Sequence, residues 1–236
     1  MMSLAELPSS DELLQAALEY ARIGLPVFPC HTPINGVCDC WKGPQCSDTG
    51  KHPRTKNGLT DATTDEMKIR RWWKQWPIAN IALALPDGYV AVDVDGEHGR
   101  QRLEDDGKRL PTTAVQSSGN GSHYVYKTRE RIGPRTLIEP SAKGAHDGID
   151  LRGPGGYIMA SPSVHATGRV YEWAVPLSQI EVAPTWLENV NQQRSQGIGQ
   201  KTPVDFNRVL AGLPEGSRKR ELYRAACKAR GAGVPI

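Results

Sequence analysis

Aromatic residues are scarce in this chain, at 6%, and only two of its 236 residues are phenylalanine. Hydrophobic residues reach 38%, enough for one large domain, or for a medium domain with a small appendage. No run of 18 apolar residues occurs, and the acidic start between Glu6 and Glu12 lacks the positive segment of a signal peptide. The expectation is a soluble, intracellular, cytoplasmic protein with no membrane partner. Charge of one sign is also missing: the net is only +3. The basic excess is a property of the tail, because residues 201–236 hold eight Lys/Arg against three Asp/Glu. Such a tail reads either as a nucleic-acid contact or as a solvated helix face. Long helices are disfavoured by 24 Gly and 18 Pro, which call for many turns.

What is present begins with an amphipathic pattern over residues 10–23, with Leu14, Ala17, Leu18 and Ala21 on one stripe and Gly24 as its stop. A strand at 25–28 and a loop at 30–58 dense in Cys, Gly, Pro and Lys follow. A second helix is expected from Thr63, capped by Thr63 and Glu66 and ending before Pro77. Its face of Ile69, Trp72, Trp73 and Trp76 reads as core rather than as a base-stacking platform. Strand signals then fall at 81–85, 89–94, 113–116, 122–127, 148–151, 157–160 and 170–173, with hairpin turns at 117–121 and 153–156. Helices followed by runs of hairpins predict an α+β fold with a mainly antiparallel sheet. Residues 190–203 read as a linker, and 206–213 and 218–230 as two short helices in a basic segment, 204–236. The expected domain is 1–189, with the Cys-rich loop inserted, as the front part of a longer polypeptide.

Four of the five cysteines and two histidines fall between Cys30 and His52. Inside a cell such a cluster favours metal over disulfides, and tetrahedral zinc takes four Cys/His ligands on tight turns. The best set is Cys38, Cys40, Cys46 and His52, with Cys30 and His31 as spares and Cys30 also readable as a buried strand end. With four protein ligands the ion needs no catalytic water, so it would staple an otherwise coreless loop.

In the strand 89–95, Val92 and Val94 point to one face and Asp93 and Asp95 together to the other. Two carboxylates so close need a cation, and Mg²⁺ or Mn²⁺ held by carboxylates is how polymerases and nucleases handle phosphate. Asp150, between Ile149 and Leu151, offers a third acid on a polar face, and Arg152 beside it can bind phosphate. His123, just after a glycine turn, can hydrogen-bond a phosphate oxygen. Ser118, Ser122 and Lys127 complete the candidate nucleotide contacts.

These blocks, in this order, resemble the bifunctional primase–polymerase domain of the archaeo-eukaryotic primase superfamily, of the phage and plasmid type. The resemblance covers roughly residues 10–185. It rests on Gly50-Lys51-His52-Pro53 after the cysteines, Ile69…Trp72-Trp73, Asn80–Leu83, Asp93-Val94-Asp95, Ser118-Gly119…His123-Tyr124, Gly148–Gly153 and Ala160–Ser163 before Tyr171-Glu172-Trp173. It implies two catalytic metals on Asp93, Asp95 and Asp150, with His123 on the phosphates of the incoming nucleotide. Where the family often has Ser two residues before the histidine, this chain has Gly121, so Ser118 or Ser122 would serve instead. The implied activity is DNA primase and DNA polymerase, a nucleotidyl transfer from NTP or dNTP on a single-stranded DNA template and primer. The implied setting is a phage or plasmid replication protein in a bacterial host, with the tail leading to a helicase. Lys42, Lys51, Arg54 and Lys56 are expected to help grip the template. Two rivals remain: a non-catalytic module binding single-stranded DNA or an origin, and a metal-dependent nuclease.

Overall fold

In a computed structural model of the chain, residues 7–138 and 148–191 are described. Helix α1, Ser10–Arg22, starts at a complete capping box: Ser9 accepts from the Glu12 amide while the Glu12 carboxylate accepts from the Ser9 amide. It buries Leu13, Ala17, Leu18, Tyr20 and Ala21. Strand β1, Val27–Cys30, lies two residues beyond its expected place, because Gly24 and Pro26 form the turn out of α1. Pro33–Ile34 and Val37–Cys38 pair as a two-stranded ribbon, β2 and β3, inside the cysteine loop. Helix α2, Glu66–Gln75, is capped by Asp65 and not by the expected Thr63, whose backbone instead bridges to Val27. Ile69, Trp72 and Trp73 are core, as their spacing predicts.

Strand β4, Asn80–Ala84, is central in a three-stranded antiparallel sheet, flanked by β1 and by β10, Tyr157–Ala160. The second sheet has six antiparallel strands. Its members are β5 (Tyr89–Asp95), β6 (Ala114–Ser117), β7 (Gly121–Lys127), β8 (Arg135–Ile138), β9 (Ile149–Arg152) and β11 (Glu172–Val175), in the order β11-β6-β7-β5-β9-β8. Helix α3, Gly96–Asp105, leaves directly from the end of β5, and α4, Thr185–Glu188, closes the described part. The α+β, mainly antiparallel reading holds, with one correction. The turn at 153–156 is not a hairpin, because β9 and β10 belong to different sheets and the chain crosses between them there. The expected linker and the basic helices beyond it lie outside the described residues. None of the described helices is long and apolar enough to cross a membrane.

The six-stranded sheet separates two environments. Val90, Val92, Val94, Tyr126, Ile149 and Leu151 face one way into a core shared with Leu103 of α3 and Leu187 of α4. Ala91, Val125 and Ala114 face the other way, into the larger core with α1, α2 and the small sheet. The polar residues that continue this second face, beyond its apolar end, form the site.

Candidate active site

The register places the acids and the histidine side by side. Asp93 on β5 is opposite Asp150 on β9 and opposite His123 on β7, and His123 is in turn opposite Gln116 on β6. Directly paired residues project to the same face, so Asp150, Asp93, His123 and Gln116 form one row across four strands. Asp95 stands two residues along from Asp93 on that face, at the N-cap of α3, and its side chain does not cap the helix. Gly121 is its partner on β7, and a Cβ there would meet the Val94 carbonyl oxygen at 2.0 Å. No serine fits at that position, which accounts for the glycine. Ser118 takes the turn instead, its hydroxyl accepting from the Gly121 amide at 3.1 Å, and it lines the cleft. Ser122 is paired with Val94 and faces away from the row, while Lys127 sits exposed at the far end of β7; neither lines the cleft.

Asp93 is the most enclosed of the acids. Its Oδ1 lies 3.1 Å from His123 Nε2, within ion-pair reach but without the alignment of a hydrogen bond, and so has no hydrogen-bond partner. Burial pushes its carboxyl up, yet the His123 imidazole, Arg152 and Lys51 together hold it below the usual carboxylate value. A buried anionic oxygen with an unused lone pair suits a hard divalent cation, and the all-carboxylate donor set suits Mg²⁺ or Mn²⁺. Asp150 is bound by Arg152 at 2.6 Å. Asp93, Asp95 and Asp150 do not form a set whose ligand atoms all lie within 4.8 Å of one another.

Gln116 settles which imidazole nitrogen carries the proton. Its amide nitrogen donates to the Met159 carbonyl at 2.6 Å and its amide oxygen accepts from the Ser161 amide at 3.1 Å, so its orientation is fixed. The same nitrogen lies 2.7 Å from His123 Nδ1, which must accept. The Nε2–H is therefore the donor, on the edge of the ring that lies beside Asp93 at the cleft. Sequence reading missed Gln116 because a polar residue at the end of a strand looks like a turn signal; only the register shows it under His123. Gln116→Leu should mix the tautomers, visible in imidazole ¹⁵N shifts, and lower kcat/KM for extension about tenfold. Unchanged ¹⁵N shifts would remove this role.

The cleft beside the row comprises two cavities of about 360 and 350 Å³ that share Asp48, Lys51, Asp93 and His123. The first holds Asp95, Ser118, Asn120 and His165; the second holds Arg152, Tyr157 and Tyr171. One wall is the cysteine loop itself. There Cys38, Cys40, Cys46 and His52 bring one ligand atom each to within 4.8 Å of one another. Cys38 Sγ is 3.4 Å from His52 Nε2. Burial pushes the Cys38 thiol up to about 11. Burial opposes ionisation of Cys40 too, but the Lys42 and Gly43 amides and the neighbouring thiols hold it below its usual value. Three thiols and an imidazole whose pKa is lowered by burial and by His31 fit a thiophilic ion such as zinc. His31 stacks on His52 and is held by Asp39 at 2.8 Å, while buried Cys30 turns its thiol to the Lys51 carbonyl. A second close set, His31, Cys38 and Asp39, shares Cys38 with the first. Arg54 is taken up by Asp39 and the Cys30 carbonyl, so of the four expected template cations it faces inward.

An α+β domain with a carboxylate row on an antiparallel sheet, opening into a polar cleft, is the build of metal-dependent phosphate chemistry. The family of bifunctional DNA primase/polymerase N-terminal domains matches residues 17–186, and the chain belongs to it. Membership brings primase/polymerase and nucleotidyltransferase activity, metal dependence, and DNA and nucleotide substrates at the level of the family. No curated protein matches the chain.

Proposed function

We propose that the domain starts and extends primers on single-stranded DNA by metal-dependent nucleotidyl transfer, as part of a phage or plasmid replication protein. The observation that supports this most directly is the Asp150–Asp93–His123 row with Asp95 one step along β5. Asp93, Asp95 and Asp150 would hold the cations. Divalent ions bound there would lower the pKa of the attacking 3′-hydroxyl and neutralise the triphosphate and the leaving pyrophosphate. His123 would donate its Nε2–H to a phosphate oxygen, with Gln116 holding it in that tautomer. Arg152, which pairs with Asp150 at 2.6 Å beside the cleft, would offer its guanidinium to the same phosphates. Ser118 borders the cleft where the phosphates would lie; Ser122 and Lys127 are left out of this set because of their placement. Cys38, Cys40, Cys46 and His52 would carry a structural zinc.

The non-catalytic binding module is disfavoured by the same row, since three acids at a DNA-facing surface repel phosphate unless cations intervene. The nuclease reading has less use for a polar cleft containing Ser118, His123 and Arg152. Primer extension and de novo priming on single-stranded DNA, with Mg²⁺ or Mn²⁺ and with NTPs or dNTPs, tests the proposal. Product is expected only when both a divalent cation and nucleoside triphosphates are present. DNA binding without product under every combination would favour the binding module.

A further inference from the structure

The cysteine loop is not a remote staple, for its residues 47–51 form a wall of the cleft that contains Asp93 and His123. Lys51 is the cation of that wall. It borders both cavities, and its charge acts on Asp93 across the cleft. Its side chain is exposed, yet its backbone is held from several elements at once. The Lys51 carbonyl accepts from the Tyr157 hydroxyl of β10 at 2.9 Å and from the Cys30 thiol of β1 at 3.5 Å. The preceding Gly50 carbonyl accepts from Asn80 of β4, a buried amide also bonded to both backbone groups of Val164. Gly50 has φ +75 and no room for a side chain, since a Cβ would meet Pro33 at 2.8 Å. On its other side stands His52, and five residues before it Cys46, two members of the Cys/His set. A flexible ammonium on so constrained a backbone is aimed, and what it is aimed at is the space in front of the carboxylate row.

We propose that Lys51 binds the phosphates of the incoming nucleotide, and that the metal-stapled loop delivers it to the cleft. The inference rests on the nucleotidyl-transfer reading and adds to it a substrate-binding residue outside the sheet. An ammonium opposite the metal-binding acids neutralises the phosphate oxygens that the cations and His123 do not reach. The rival role is electrostatic balance of Asp93 alone, and a second rival is grip on the template strand. The three separate kinetically.

The test uses the full chain at saturating primer–template with the nucleotide varied, for wild type, Lys51→Ala, Lys51→Arg and Cys46→Ala. Tripolyphosphate serves as a competitive probe, and calorimetric binding of dATP needs no turnover. Lys51→Ala is expected to raise the nucleotide KM, the dATP Kd and the tripolyphosphate Ki about tenfold or more, with primer–template KM and melting temperature unchanged. Lys51→Arg should recover part of the loss. Cys46→Ala should show the same nucleotide defect, and adding Lys51→Ala to it should add little. A fall in kcat with nucleotide KM and dATP Kd unchanged would overturn phosphate binding in favour of charge balance. A raised primer–template KM alone would overturn it in favour of the template. Normal nucleotide KM in Cys46→Ala would overturn delivery by the loop. A wild type that binds dATP but makes no product would defeat the transfer reading, while the dATP Kd of Lys51→Ala would still decide the role of Lys51.

Discussion

Asp93→Asn is expected to lower primer extension about a thousandfold or more, because a neutral amide cannot hold a cation against the phosphate charge that develops in the transfer. The substitution is nearly isosteric, so the row Asp150–Asp93–His123 should keep its register. The pH dependence of the stability that the Asp93 charge contributes has a definite sign. The Asp93 pKa is held down by His123, Arg152 and Lys51 against burial, so the charge contributes stability that is complete at neutral pH. That contribution is lost only as pH falls through the depressed folded value, below about 4. Asparagine forfeits it at neutral pH but also ends the burial of an anion with an unpartnered oxygen, and the net change in melting temperature should be only a few degrees. A second measurement isolates the cation. Divalent ions that bind the native state raise its melting temperature, and this shift should vanish in Asp93→Asn. Single-stranded DNA affinity should survive within about threefold, since the grip on a template is set by cations elsewhere. Extension reduced less than tenfold would remove Asp93 from the metal site.

Much of this arrangement was legible in the sequence, and the reasons differ by element. Strict alternation through Val90–Asp95 determines which side chains share a face, so the pairing of Asp93 with Asp95 followed from period alone. Asp150 between Ile149 and Leu151 followed in the same way. The Ser118–Asn120 turn identified the β6–β7 hairpin because a tight reversal between two strands leaves little else. The turn at 153–156 misled for a related reason. Gly and Pro specify that the chain reverses, not which sheet the next strand joins, and that choice is made by the burial of Ile158, Met159 and Ala160 against β4. Helix α3 went unseen because it buries only Gly99 and Leu103, too little for a periodic signal, and begins with a glycine that reads as a turn. Gln116, and the place of Lys51 at the cleft rather than on the template, were beyond reach for a stronger reason. The importance of each lies in what stands opposite, a strand register for Gln116 and a loop folded back over the sheet for Lys51, and neither is encoded by local spacing.

Removal of metal from the cysteine loop should have the second-largest effect, and the loop's burial explains why. Between residues 31 and 57 the buried positions are Thr32, Pro33, Cys38, Cys40 and Gly50, so no large apolar side chain of the loop anchors it to the core. Its order otherwise depends on short backbone bonds, the β2–β3 ribbon and the pairing of Asp39 with His31 and Arg54. Three thiols and an imidazole within 4.8 Å of one another, with the fourth ligand stacked on His31, would be cross-linked by a bound ion, and a chelator or Cys40→Ser would release that link. The native chain should carry one zinc per molecule, and its loss should lower the melting temperature by roughly 10 °C. The loss should be local. Amides from Val37 to His52 should exchange quickly, whereas those of β4, β5 and β7, paired in the two sheets, should stay protected. The consequence reaches the chemistry because residues 47–51 are both the loop and the cleft wall, so a melted loop withdraws Lys51 and Asp48 from the space before Asp93. A chain that retains full protection and full nucleotide affinity after chelation would show that the ribbon and the Asn80–Gly50 bond suffice to hold the wall, and that the cysteines hold nothing the fold depends on.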